Sequence, residues 1–121
     1  MITAMPPETP ARKLAEELYH QALDLVASGD PAAAIKFREA LALDPNYLDA
    51  MHGLIRTLQD SGDYDQAISV ARELIARDPD DPLAHTSLSI LYQHTGMVPE
   101  AEAEALKAKL LGWKIELRGS R

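Results

Sequence analysis

Four histidines, His20, His52, His85 and His94, are the side chains in this sequence best suited to hold a metal or move a proton near neutral pH. Metal binding needs them paired on one helix face, as in HExxH or an i, i+4 pair, or joined by thiolates. None of those patterns occurs, and there is no cysteine. His85 and His94 fall on one helix pattern without sharing a face, and His20 meets His52 only if neighbouring helices bring them together. Ser61, Ser69, Ser87 and Ser89 offer hydroxyls, but no glycine elbow surrounds them and no order of His and Asp makes a triad. No glycine-rich phosphate loop is present. The acidic pairs Glu16–Glu17 and Asp80–Asp81 read as a solvated face and a helix cap. The sequence therefore predicts no catalytic residue, no metal site and no cofactor. What remains is recognition, for which tyrosine, tryptophan and arginine are the usual anchors. Tyr19, Arg56 and the single tryptophan, Trp113, stand out.

Composition narrows the partner. At 121 residues the chain has the length of one domain, with 46% hydrophobic and 26% charged residues. Its formal charge of −7 works against nucleic acid, which needs a positive field. The N-terminal MITAMPPETPARK has no continuous apolar segment of the secretory kind, and no apolar run approaches the ~20 residues that span a bilayer. With cysteine absent, a cytoplasmic location is the expectation, without membrane insertion.

The elements that must position these residues are helices. Residues 1–10, with three prolines, read as a mobile tail. Leu14, Leu18, Ala22, Leu25 and Val26 then recur at steps of three and four, predicting a first helix over about 11–28. Asp30-Pro31 supplies a cap and a first-turn proline for a second helix over 31–43, which Asp44-Pro45 stops. A third helix follows over 47–60, with Asn46 as its cap. Gly62 and Asp63 turn and cap the chain into a fourth over 64–77. Asp81-Pro82 opens a fifth that ends near Thr95, and a sixth runs over 98–111, where Gly112 breaks it and leaves residues 112–121 as a short tail. Gly29, Gly62 and Gly96 lie 33 and 34 residues apart, and Asp44-Pro45 and Asp78-Pro79 lie 34 apart. A helix–turn–helix unit with that period is the signature of a solenoid.

The repeated residues resemble the tetratricopeptide repeat family. The middle copy carries Ala50, Leu54, Gly62, Tyr64, Ala67, Ile68, Leu74 and Pro79. The first carries Ala34, Ile35, Phe37, Ala40, Leu41, Leu43, Asp44 and Pro45, and the third Ala84, Leu88, Tyr92, Gly96, Ala101 and Ala108. The resemblance implies an all-α fold, a right-handed superhelical α-solenoid of three hairpins over 11–45, 46–79 and 80–111. Small alanines at Ala34, Ala67 and Ala101 suit close helix crossings. The first copy is one residue short, 16 positions from Gly29 to Pro45 against 17 from Gly62 to Pro79, so its second helix is expected at a shifted phase.

The family's first helices line a concave groove that binds peptides or partner segments. Carried onto this sequence, that places Glu16, Tyr19, His20 and Leu23 from the first copy in the groove. The second contributes Asp49, His52, Gly53, Arg56 and Gln59, and the third Leu83, Thr86, Ser87, Ile90, Gln93 and His94. Arg56 has no Lys or Asn companions of the kind that clamp a C-terminal carboxylate, so that subfamily's function is not expected. Arg56 either takes one partner carboxylate or pairs with Asp49 or Asp60. Tyr19 either anchors a partner or packs on its own repeat. Gly53 admits either a ligand backbone or a close helix. Trp113, with Ile115 and Leu117, either covers the last hairpin or docks elsewhere. The implied function is a non-enzymatic adaptor or scaffold for a protein or peptide, held in the groove or at the C-terminal end. The alternative is a structural accessory subunit or a self-associating oligomer.

Overall fold

The computed structural model describes residues 9–119. Of the expected mobile tail, residues 1–8 lie outside that range. Thr9 and Pro10 already belong to the start of α1 (Pro10–Ala27), where Thr9 Oγ1 accepts the Arg12 N–H at 3.1 Å and Pro10 opens the helix. Five further helices follow: α2 (Ala33–Leu43), α3 (Leu48–Asp60), α4 (Tyr64–Arg77), α5 (Pro82–His94) and α6 (Val98–Gly119). No strand occurs among the described residues.

Three glycine turns make the hairpins. Gly29, Gly62 and Gly96 have φ of 72°, 78° and 77°, a region that costs other residues roughly 1–2 kcal/mol. The residue after each glycine donates back to the preceding helix at 2.8 Å: Asp30 to the Leu25 carbonyl, Asp63 to Leu58 and Met97 to Tyr92. Orphan carbonyls are thereby satisfied in the usual glycine-terminated way.

The missing residue of the first copy is lost inside its turn. Ala67 and Ala101 donate to the carbonyls of Asp63 and Met97, four residues back, whereas Ala33 donates to Asp30, three residues back. A tighter 3₁₀ turn thus replaces an α turn. Ala33, Ala67 and Ala101 are then 34 residues apart and 0%, 0% and 1% exposed. The expected phase shift of α2 does not occur, and the alanine at the first helix crossing is Ala33, with Ala34 only half-buried. Asp30 still caps, through Oδ1 to the Ala32 N–H at 2.9 Å, but α2 begins at Ala33 and not at Pro31.

Two other expected caps differ. Asn46 does not cap α3; its Oδ1 accepts from Arg77 Nη1 at 2.5 Å, and Asp44 Oδ1 accepts the Asn46 N–H. Asp63 acts through its backbone carbonyl, not its side chain. Asp81 behaves as expected, its Oδ1 accepting the Leu83 N–H at 2.9 Å ahead of Pro82.

Each helix packs on its neighbours in sequence, and α3 also touches α1 and α5. Such nearest-neighbour packing is the mark of a solenoid. Its centre is the middle hairpin, where Met51, Leu54, Ile55 and Leu74 are almost fully buried between Phe37 on one side and Leu88 and Leu91 on the other. Gly53 lies under the Phe37 ring. A Cβ there would come within 2.4 Å of the ring edge, so this glycine serves helix packing, not a ligand.

The largest departure from expectation is α6. It passes through Gly112 without a break and continues to Gly119, so the expected tail is largely helical. Gly112 has no positive φ, and an added Cβ would meet nothing. A lone glycine in a run of strong helix formers weakens a helix by only ~1 kcal/mol. Across the hairpin, His85 faces Glu104 and Ser89 faces Ala101, so Pro82 lies level with about Ala108. The end of α6 therefore projects past the start of α5, and Trp113 remains 51% exposed instead of folding over the hairpin.

Candidate functional site

The candidate surface is the row of first helices. With repeat offsets of 33 and 34, α1, α3 and α5 place equivalent residues in columns: Tyr19, His52 and Thr86 in one, and Leu23, Arg56 and Ile90 in the next. Val26, Gln59 and Gln93 form a third. Leu23 and Ile90 are 39% and 37% exposed, and the Arg56 side chain between their positions is 74% exposed. The middle column therefore offers two apolar side chains flanking a cation.

Several predicted site residues are held by their own fold. Tyr19 is half-buried against Phe37, Tyr47 and His20, with ring centroids 5.9, 5.1 and 5.7 Å away. Burial raises its pKa above the ordinary tyrosine value, and the nearby Asp49 carboxylate adds to this. Tyr19 thus closes the α1–α2–α3 junction more than it offers a free ring. His52 Nε2 lies 2.7 Å from Asp81 Oδ2, so the α5 cap is also the tie from α3 to α5. Arg56 Nε donates to Asp60 Oδ1 at 3.3 Å, an exposed i, i+4 pair on α3 of the kind worth only a few tenths of a kcal/mol. A partner carboxylate displaces such a pair at little cost.

Gln59 is half-buried, while Asp49, His20, Thr86 and Gln93 are exposed. Thr86, Ile90 and Gln93 are brought together with Ala105, Ala108 and Lys109 along an open groove of about 440 Å³ beside the last hairpin. In α2 and α4 the positions equivalent to these three α6 residues are bulkier or apolar: Phe37, Ala40 and Leu41, and Ala71, Leu74 and Ile75. Trp113 is remote from this row, on the projecting part of α6, with Lys109 Nζ 5.0 Å from its ring centroid.

Three constellations escaped the sequence reading. Arg12 spans from α1 to the Asp44-Pro45 corner. Its Nη1 donates to Asp44 Oδ2 at 2.6 Å, its Nε to Glu16 Oε1 at 3.1 Å, and its guanidinium lies 3.7 Å over the Tyr47 ring. The Arg12 hydrogen bond outweighs burial and holds Asp44 below the usual carboxylate range. No periodic pattern announces a pair 32 residues apart.

His85 is the second. It occupies the column of Leu18 and Met51, so a histidine at an apolar position was the readable signal. Its Nδ1 lies 2.6 Å from Glu104 Oε2 and its Nε2 2.9 Å from the Pro79 carbonyl. Both partners accept, so the geometry suits a ring with hydrogens on both nitrogens. Burial opposes the Glu104 charge, but hydrogen bonds from His85 and Lys107 outweigh it and its pKa is lowered. The third is a cleft of about 270 Å³ between α2 and α4, floored by Met51, Leu54 and Val70.

None of these clusters gathers three metal-ligating side chains among the described residues, and no described helix is long and apolar enough to cross a membrane. The arrangement is that of a recognition surface: a cation, amides and hydroxyls between apolar residues, on a rigid scaffold.

The comparisons point the same way. A tetratricopeptide repeat family model matches residues 25–91 and again 58–110. The TPR repeat-containing protein YpiA of Bacillus subtilis (strain 168) is 34% identical over 65 residues, 54% of this chain and 15% of its own length. The chain thus spans a small part of that curated relative. Among solved structures, MamA superposes with a TM-score of 0.81 at 26% identity, over 84% of this chain and 60% of MamA. The type III secretion chaperone SycD of Yersinia enterocolitica, solved with a peptide of the translocator YopD, gives 0.78 at 26% identity, over 82% of this chain and 76% of SycD.

Proposed function

We propose, from the premise that this chain belongs to the tetratricopeptide repeat family, that it is a non-enzymatic adaptor holding a protein or peptide segment along its row of first helices. The observation that carries this reading is the likeness to SycD in its peptide-bound form, over four-fifths of this chain. The middle column adds the chemistry. Leu23 and Ile90 suit apolar side chains of a bound segment, and Arg56 suits a carboxylate between them, which its planar fork can take bidentately. The fitting ligand is an extended segment with an acidic residue flanked by apolar ones. Asp49 and Gln59 on α3, with Thr86 and Gln93 on α5, supply polar contacts along its sides, and His20 lies at the α1 end. His52 and Tyr19 serve as framework, fixing the spacing of α3 against α5 and α1.

Affinity capture from extract of the source cells tests this. The intact chain is compared with an Arg56→Glu, Ile90→Asp variant, both positions being solvent-exposed. A partner held by the intact chain and released by the variant, at unchanged helicity, is the expected result. A partner held equally by both removes the groove assignment.

A further inference from the structure

We propose that the outer face of α6 is the seam of a homodimer, in which two copies of this chain pack their α6 helices antiparallel. The face is distinct from the row of first helices. Leu106, Leu110, Trp113 and Leu117 follow one another at steps of four, three and four, the spacing of a two-helix seam. They are 56%, 50%, 51% and 73% exposed. The opposite face of α6, through Ala101, Glu104 and Ala108, is the one that meets α5. In the earlier repeats the positions of Leu106 and Leu110 carry Arg38 and Ala42, then Arg72 and Ala76. Arg38 and Arg72 reach forward to Gln66 and Tyr92 of the next repeat. Only α6 carries large apolar residues at both positions, and only α6 extends them by two further steps on a helix that has outrun its hairpin partner.

Charge selects the occupant. Glu100, Glu102 and Glu104 lie in the first half of α6. Lys107, Lys109, Lys114 and Arg118 lie in the second, with Glu116 as the one acid among them. Two such helices side by side and antiparallel set each acidic half against the basic half of the other; a parallel pair sets like against like. The basic half also gives a chain of net charge −7 a place where a second copy meets attraction. An isologous twofold contact of this kind closes on itself and builds a dimer, not a filament.

Analytical ultracentrifugation of the full chain, from low micromolar to millimolar concentration, is the test. The intact chain is expected to pass from monomer to dimer, with the emission of Trp113 shifting to the blue in parallel. Leu110→Glu is expected to weaken the dimer by at least about a hundredfold at unchanged helicity, since it buries a charge in the seam. Lys114→Glu with Arg118→Glu is expected to weaken it about tenfold and serves as the second variant should Leu110→Glu lose helicity. Orientation is read by oxidising a mixture of Glu102→Cys and Arg118→Cys chains, in a background free of cysteine. Mixed disulfides support the antiparallel seam. A chain that stays monomeric throughout, a dimer indifferent to the seam substitutions, or cross-linking restricted to Arg118→Cys with itself overturns the proposal.

Discussion

At the scale of single residues, packing and hydrogen bonding decide most of what the side chains do. Gly53 has no room for a methyl group because the fully buried Phe37 ring occupies that space. Gly53→Ala is therefore expected to lower stability by about 1–2 kcal/mol, the overpacking penalty exceeding the gain in helix propensity. Gly53→Ala with Phe37→Leu should recover part of the loss, and urea unfolding of the three variants checks this. Asp44 and Glu104 make a second expectation. Their folded pKa values lie below the ordinary carboxylate value of about 4, so the folded state gives up these protons more readily than the unfolded chain. The stability they confer is complete above that value and is lost as pH falls through the folded pKa values. Unfolding free energy should thus decline below about pH 4, with a shallower decline in Glu104→Gln. An identical acid slope in the variant would argue against the His85–Glu104–Lys107 arrangement.

At the scale of elements, two glycines of the same type have opposite roles. Gly62 ends α3 at φ 78°, so Gly62→Ala is expected to cost about 1 kcal/mol or more. Gly112 sits inside α6 in open space, and Gly112→Ala is expected to stabilise that helix by about 0.5–1 kcal/mol. Thermal melts of the two variants should move in opposite directions. If Gly112→Ala lowers the melting temperature, α6 does not run through that position. The shortened first turn makes a related point. Losing one residue between Gly29 and Ala33 leaves α2 in register because a 3₁₀ turn advances the chain with one residue fewer. Side-chain spacing across the crossing is conserved at the expense of turn geometry.

At the scale of the molecule, the fold is a line of helices in which each stabilises the next. Ala33, Ala67 and Ala101 mark the three close crossings along that line. Ala67→Leu is expected to destabilise by ~1–3 kcal/mol, since the middle crossing is enclosed on both sides and cannot relax outward. An unchanged melting temperature would contradict the packing described. The proposed groove and the proposed seam lie on different helices: α1, α3 and α5 for one, α6 for the other. Peptide binding and self-association are therefore expected to be separable by mutation. Arg56→Glu should leave the dimer intact, and Leu110→Glu should leave groove binding intact.

What the sequence determined by itself is what local spacing controls. The glycine intervals, the Asp-Pro corners and the three-and-four rhythm of apolar residues placed all six helices and the order of the hairpins, since each signal acts within a turn or two of backbone. The columns Leu23, Arg56, Ile90 and Tyr19, His52, Thr86 were legible for the same reason, once the period was known. Only the tertiary structure decided what each of those side chains is committed to. Tyr19 is held by Phe37 and Tyr47, His52 by Asp81, Asp44 by Arg12 and Glu104 by His85, all partners 18 to 32 residues away. Such contacts depend on how helices cross, which no local pattern encodes. The length of α6 was misread because a glycine weakens a helix without fixing its end: an end requires a positive φ and a hydrogen bond back to the preceding turn, as at Gly29, Gly62 and Gly96.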